Sequence, residues 1–405
     1  MADDDLYGDR GVSSSKSDVH EAIKHHDKGI FPGAFCKIIP DVLTGDSEYC
    51  LSLHADGAGT KSIAAYLAWK EGMPADIAWP GISQDSLIMN VDDLGCIGAL
   101  GPFVVNQSIG RNKFLIPGEV IAAVINGCQN VCDMLTELGF PSALQTVFAG
   151  GETADVGDLV RTIMVDNSVV CRMRRDQVID ASHMVPGDVI VGFSSTGQAA
   201  WEDIPNAGLG SNGYTNARHD VLCPHYWVNF PEAFAPEVDP ELVYRGKYRM
   251  SDKVPDSDFS IAAMLLSPTR TYLPLIELLL DRIPREHLHG IIHCSGGGQT
   301  KILKFGQPGN RYTKHNPFPV TPEFALLKSA TGMTWRQMYK TYNMGHRLEV
   351  VLPSVYVSQC LDVARECGIA AQEVGAVLEP DTSGKRQVLI RDPDGNLCSY
   401  TEGED

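Results

Sequence analysis

The sequence has no C-x-x-C pair, no long block of Lys and Arg, and no apolar run of about 18 residues, the length a membrane-spanning helix needs. Each absence excludes a class of protein. The eleven cysteines are odd in number and scattered, so a zinc ribbon or dithiol redox motif is not expected. Cys128 and Cys132 share one helix face at most. Free, mostly buried thiols in a reducing compartment are the expectation. The formal charge is −18, and the densest basic cluster, Arg172, Arg174 and Arg175, reads as a solvated strand end. Neither a nucleic acid nor a membrane is an expected partner, because no basic face exists to displace counterions. The start, Met1-Ala2-Asp3-Asp4-Asp5, lacks the basic and apolar regions of a secretory signal, and a cytoplasmic protein is expected. Walker A, G-x-S-x-G and kinase signatures are also missing. His20 and His25 lie on different helix faces and do not make an H-E-x-x-H zinc site.

What is present suits two cores. The 405 residues are 43% hydrophobic and 21% charged. The turn Pro186-Gly187-Asp188 followed by the strand-like Val189–Phe193 divides the chain. We expect a mobile arm over 1–17, a first domain over 18–180 and a second over 181–405. Apolar spacing predicts helices over 84–100 and, most clearly, 118–138. In the latter Val120, Ile121, Val124, Ile125, Cys128, Val131, Cys132, Leu135 and Leu138 line one side and Gly139 caps the end. Strands are predicted over 47–55, 143–149 and 160–173, and helices over 271–282 and 354–368, the last with Val355, Cys360, Leu361, Ala364 and Cys367 inward. Stretches 199–210, 223–260 and 305–322 read as long loops. The alternation gives an α+β class.

Five short stretches carry candidate chemistry. His54–Ser62 follows a strand: Gly57 and Gly59 let a backbone approach an anion, Thr60 offers a hydroxyl, Lys61 a charge and Asp56 a hard oxygen for Mg²⁺. A plain strand-end turn would read the same way. Asp92 and Asp93 are adjacent carboxylates in an apolar helix, suited to a divalent cation or to an exposed helix face. Gly150-Gly151-Glu152-Thr153 reads as a turn presenting Glu152 at a strand end, or as a solvated hairpin corner. Ser211-Asn212-Gly213 marks a turn that could hold polar groups of a substrate. Three glycines, Gly296, Gly297 and Gly298, follow Ile291–His293 and suggest close approach to a phosphate.

In this order the stretches D-G-x-G-T-K, V-x-D-L, G-G-E-T-A, S-N-G-Y, P-T-R (Pro268–Arg270), the triple glycine and M-Y-K-T-Y-N-M-G (Met338–Gly345) resemble the aminoimidazole ribonucleotide synthetase family, the phosphoribosylformylglycinamidine cyclo-ligases, over residues 10–380. The resemblance implies a two-domain α+β subunit whose first domain joins its twin in a central β-barrel, the second domain being a mixed sheet with helices. It implies a homodimer that uses ATP and Mg²⁺ to close formylglycinamidine ribonucleotide into aminoimidazole ribonucleotide. By the same resemblance Asp56, Asp93 and Glu152 hold metal, and Lys61, Asp93 and His293 are catalytic. Asp56, Gly57, Gly59, Thr60, Lys61, Gly150, Gly151, Glu152 and Thr153 line ATP and its phosphates, while Ser211, Asn212 and Gly296–Gly298 face the substrate. The chain departs from the pattern at Gly210, where the family commonly has histidine, leaving His293, His219 or His346 for that task, and at Asp92, where Asn is usual. The alternatives are another ATP-using relative, of selenophosphate synthetase or thiamine-monophosphate kinase type, or a nucleotide-binding homologue without catalysis.

Overall fold

The structure, a computed structural model, describes residues 7–13, 17–138 and 145–404. Most of the expected 1–17 arm, the Gly139 cap and the first residues of the 143–149 strand lie outside the described residues.

Among the described residues, twelve strands form two sheets. The first holds β1 (Ile39–Pro40), β2 (Tyr49–Gly57), β3 (Phe103–Arg111), β4 (Thr146–Asp155) and β5 (Ile163–Arg174), in the order β1-β2-β5-β3-β4. Only β3 and β4 pair in parallel. A parallel pair needs a crossover, and the helix Gly118–Leu138 supplies it. The second sheet holds β6 (Val189–Ser194), β7 (Gly290–His293), β8 (Arg311–Lys314), β9 (His346–Leu352), β10 (Ala371–Leu378), β11 (Gln387–Arg391) and β12 (Leu397–Thr401), in the order β12-β11-β8-β10-β6-β9-β7.

The helix Pro80–Gly95 starts on a proline that needs no hydrogen-bond partner there, and is buried on nearly every side. It lies on the first sheet, and the helix Gly118–Leu138 crosses it where Gly127 meets Pro80: a Cβ at 127 would come 2.7 Å from the Pro80 Cα. The helix Leu273–Arg282 packs on it from the other half of the chain. The same Leu273–Arg282 helix and Val357–Glu366 cover one side of the second sheet.

Several expectations are corrected. Gly150–Glu152 is not a turn at a strand end: β4 runs through it, with Gly150 absorbing a φ of +92°. The 305–322 stretch contains β8, whose Tyr312 is fully buried, because a short strand inside a Gly/Pro-rich stretch leaves little periodic signal. Ile125 and Val355 point outward, at 37% and 73% exposure; Val355 precedes the helix in a tighter turn, off its apolar stripe.

Candidate functional site

The pleat of the first sheet sorts the candidate residues onto two faces, because residues paired across neighbouring strands point the same way. Asp56 pairs with Asn167 and Asn167 with Gln107, a row turned towards the helices. The next row joins Gly57, Asp166, Ser108 and Glu152 and is turned away from them. Glu152 therefore stands three strands from β2, about 14 Å, and on the opposite face. A further outer row, Leu53, Val170, Val104 and Val147, is apolar and open. Leu53, Val104 and Val147 are 68%, 43% and 44% exposed.

On the inner face the helix Pro80–Gly95 brings Asn90 and Asp93 beneath His54. Nδ1 of His54 lies 2.9 Å from the Asn90 Oδ1 and its Nε2 3.3 Å from the Asp93 Oδ2. The Asn90 amide is oriented by its Nδ2, which donates to the carbonyls of Asp56, Ser86 and Asn167. Both nitrogens of His54 thus meet acceptors, a setting that favours the imidazolium form. Burial opposes that charge, but the Asp93 carboxylate outweighs it and the pKa of His54 is raised.

The other Asp93 oxygen holds Nδ1 of His293, at the end of β7, at 2.6 Å. Burial alone would push the Asp93 carboxyl up; hydrogen bonds to His293 and His54 instead hold it well below the usual carboxylate range. An ionised carboxylate only accepts, so the His293 proton sits on Nδ1. Its Nε2 is buried with no hydrogen-bond partner among the described residues. In the neutral ring that atom is an oriented acceptor, the arrangement of a general base. Asp92 turns the other way, accepting from the Thr271 hydroxyl (2.7 Å) and the Tyr272 amide (3.0 Å). Burial pushes its pKa up to about 6, against the opposing charges of His293 and Arg347.

Lys61 corrects an expectation. Its ammonium is fully buried and donates to Asp85 Oδ1 (2.8 Å) and to the carbonyls of Gly210 (3.0 Å) and Ser267 (2.6 Å). Three donors meet three acceptors, so none is turned to a phosphate. Burial lowers its pKa, with the Asp85 charge opposing. Lys61 instead ties the first Gly-rich turn to the segment 210–215, and the Thr60 hydroxyl does the same 3.0 Å from that of Thr215. Gly59, at φ +56°, has nothing near its absent side chain, so that turn is open to a ligand.

Among the glycines of the second turn, Gly296 lies beside Asn212, whose Nδ2 is 3.8 Å from where a Cβ would stand. Gly297 is left-handed, at φ +95°. Gly298 is a packing glycine: its Cβ would meet the Tyr342 and Tyr339 carbonyls at 2.5 and 2.6 Å. Ser211 and Asn212 are half-buried. Thr153 pairs with Ile109, and Gly151 with Gln107, on the inner rows.

The structure thus joins His293 to Asp93, Thr60 and Lys61 to the 210–215 loop, and Asn212 to Gly296. It does not join the three expected metal ligands. No group of three His, Cys, Asp or Glu side chains suited to a metal occurs among the described residues. Asp93 is engaged by two histidines and Glu152 is on the far face. The carboxylate beside Asp56 is Asp166, whose pKa is raised by burial and by the Asp56 charge. The two emerge on opposite faces of the sheet, and Asp166 lies over Gly57, where a Cβ would meet its Oδ1. Asp166 is not evident from the sequence, where 160–173 shows only the pattern of a strand. Alternation within V-D-N-S would have placed it on the open face.

Of the other histidines, His219 accepts from the Tyr244 amide (3.2 Å), and burial with Arg218 pushes its pKa far down. His346 is bonded to Glu349 (2.9 Å), which also pairs with Lys314 at 2.5 Å. Neither stands beside Gly210. A Cβ at Gly210 would lie 2.8 Å from Nη1 of Arg347, a residue the sequence reading passed over.

Residues 37–173 match the family described as AIR synthase related protein, N-terminal domain. The phosphoribosylformylglycinamidine cyclo-ligase of Methanocaldococcus jannaschii is 26% identical over 333 residues, 82% of this chain and 79% of its own. That of Alkaliphilus oremlandii is 26% identical over 390 residues, 95% of this chain and 96% of its own. Among solved structures, the chain is similar to one from a HypE–HypF complex (TM-score 0.58, 15% identity, 96% of this chain and 99% of that chain). It is also similar to Thermotoga maritima PurL complexed with FGAR (TM-score 0.54, 15% identity, 95% of this chain) and spans 49% of that longer chain. At such identity the likeness speaks for the fold, a mixed α+β arrangement with two sheets. No helix among the described residues is long and apolar enough to cross a membrane.

Proposed function

We propose that this chain, a divergent relative of the phosphoribosylformylglycinamidine cyclo-ligases, uses ATP to close formylglycinamidine ribonucleotide into aminoimidazole ribonucleotide. The observation that carries the reading is His293: Asp93 holds one ring nitrogen at 2.6 Å and the other is buried and unpartnered among the described residues, at the seam between the two sheets.

In the reaction the formamide oxygen takes the γ-phosphoryl group and ADP leaves. An amide oxygen is a poor leaving group; a phosphate is a good one. The amidine nitrogen then bonds to the activated carbon and gives its proton to Nε2 of His293. The carbon–oxygen bond breaks and phosphate departs with the former formamide oxygen. Asp93 stabilises the imidazolium formed on His293, and the rest of the task is positioning. Gly57, Gly59 and Thr60 offer the open turn for the phosphates, and Ser211, Asn212 and Gly296 the polar edge for the substrate. Asp56, at the same turn, is the carboxylate that would meet Mg²⁺, which when bound would neutralise charge on the phosphoryl group in transfer.

Two further parts of the reading concern assembly. Residues 18–180 and 181–405 are taken as the two domains. The open apolar row of the first sheet supports a homodimer in which a second copy covers that face as a β-barrel, with Gly150–Thr153 and Glu152 brought to the nucleotide there. The eleven cysteines, none of them in a disulfide, support a reducing, cytoplasmic setting.

The test is phosphate release from ATP with formylglycinamidine ribonucleotide, selenide or thiamine monophosphate as acceptor. Release with the first alone is expected. Release with one of the others instead overturns the reading. Asp56→Asn is expected to lower turnover about 100-fold or more with the fold intact.

A further inference from the structure

Arg347, on β9, is only 2% exposed. Its Nη2 donates to the Arg270 carbonyl, and its guanidinium lies 5.6 Å from the Tyr272 ring centroid. Its Nε is buried without a partner. Of the other buried arginines, Arg10 pairs with Asp220 at 2.6 Å and Arg270 with Glu202 at 2.5 Å, while Arg218 donates to the Ala233 carbonyl and the Tyr244 hydroxyl. No ion pair to a described carboxylate is formed by Arg347. Asp92, bonded to Thr271 and Tyr272, acts on it only through space, and a buried cation without a directly paired carboxylate is costly. The guanidinium faces the backbone of Gly210, the residue ahead of Ser211 and Asn212, which sits at φ +71° with no side chain to fill the space. That loop is pinned from both sides: Lys61 holds the Gly210 carbonyl, and Asn343 donates to the carbonyls of Gly208 (2.9 Å) and Leu209 (3.1 Å). The Tyr214 hydroxyl is a second buried polar atom without a partner next to the loop.

We propose that Arg347 is the substrate-side anion-binding residue of this site, its guanidinium receiving a phosphate oxyanion beside the Gly210–Gly213 turn. The inference rests on the cyclo-ligase reading. A fixed guanidinium suits such an oxyanion because its planar donors match phosphate oxygens and it stays charged when buried. A side chain at 210 would press on that group, since its Cβ would lie 2.8 Å from Nη1 of Arg347.

Two sources of the oxyanion are possible, the ribose 5′-phosphate and the phosphoryl group in transfer. Arg347→Met, Arg347→Lys and Gly210→Ala are compared with wild type on formylglycinamidine ribonucleotide and on the corresponding riboside, which lacks the 5′-phosphate. For Arg347→Met we expect kcat/KM on the ribonucleotide to fall about 10- to 100-fold, the KM for ATP to stay within about twofold, and Lys to recover part of the loss. Gly210→Ala is expected to fall in the same direction with the arginine retained. A loss confined to KM of the ribonucleotide assigns the 5′-phosphate; a loss in kcat with both acceptors assigns the transferring group. Full activity of Arg347→Met on both acceptors overturns the proposal. So does an equal rise in the KM for ATP with no recovery by Lys, which marks a merely structural role. A wild type inactive with the ribonucleotide but active with selenide or thiamine monophosphate overturns the function reading instead.

Discussion

Neighbouring residues of β2 live in different environments. His54 and Asp56 point towards the helix Pro80–Gly95, whereas Leu53, Ala55 and Gly57 lie on rows that face outward. On the inner side most polar groups are answered: His54 by Asn90 and Asp93, Asn167 by Ser86. On the outer side Asp166, Ser108 and Glu152 form an open polar row beside an apolar one. The inner face is built so that a charge can be kept without water, and it leaves Nε2 of His293 and Oε1 of Gln107 without partners among the described residues. The outer face is built to meet something, and its polar end adjoins the open Gly-rich turn. Acidic residues that look equivalent along the chain thus have separate tasks.

The largest expected effect that tests this contrast is on the inner face. Asp93→Asn removes the anion shared by two histidines, and phosphate release is expected to fall about 100- to 10,000-fold. Turnover near wild type would mean that His293 needs no such partner. Next is the outer face. Val104→Asp puts a charge into the apolar row, and sedimentation is expected to show self-association weakened about tenfold or more. An unchanged mass distribution would mean that no second copy covers that row.

A smaller effect separates Asp92 from Asp93. Burial raises Asp92 to about 6, so the folded state binds its proton more tightly than the unfolded one. Its contribution favours folding below the ordinary carboxylate pKa of about 3.9 and is lost as pH rises through about 6. Asp92→Asn lacks that loss, so its stability relative to wild type should improve between pH 4 and pH 7 by on the order of 1 kcal/mol. Denaturant melts at the two pH values read this directly, and a pH-independent difference would contradict it. Smallest is Ser108→Ala, exposed on the outer row and expected to change stability by no more than about 0.5 kcal/mol.

Much of the fold was legible without coordinates. The helix expected over 84–100, which runs from Pro80 to Gly95, and the one at 118–138 were legible because apolar residues recur at helical spacing. β6 was legible because its residues are buried throughout. Strand β8 was not legible, since four residues between Gly/Pro-rich stretches carry too few positions to show a period. The site was legible in part. Glycine at turns and carboxylates in apolar stretches mark unusual backbone and unusual charge, and these flagged Asp56, Asp93 and His293. Arg347 escaped because an isolated arginine in a strand looks ordinary until its missing carboxylate is seen.

The order of residues by itself determined which segments become helix or strand, where the backbone must turn through left-handed glycines, and which charges would need partners. Only the tertiary structure decided who those partners are. Strand pairing sets the face on which each carboxylate emerges, and helix packing brings Asp93 to a histidine two hundred residues away. The same packing commits the Lys61 ammonium to Asp85. Such choices depend on distances between segments far apart in the chain, and local spacing carries no record of them.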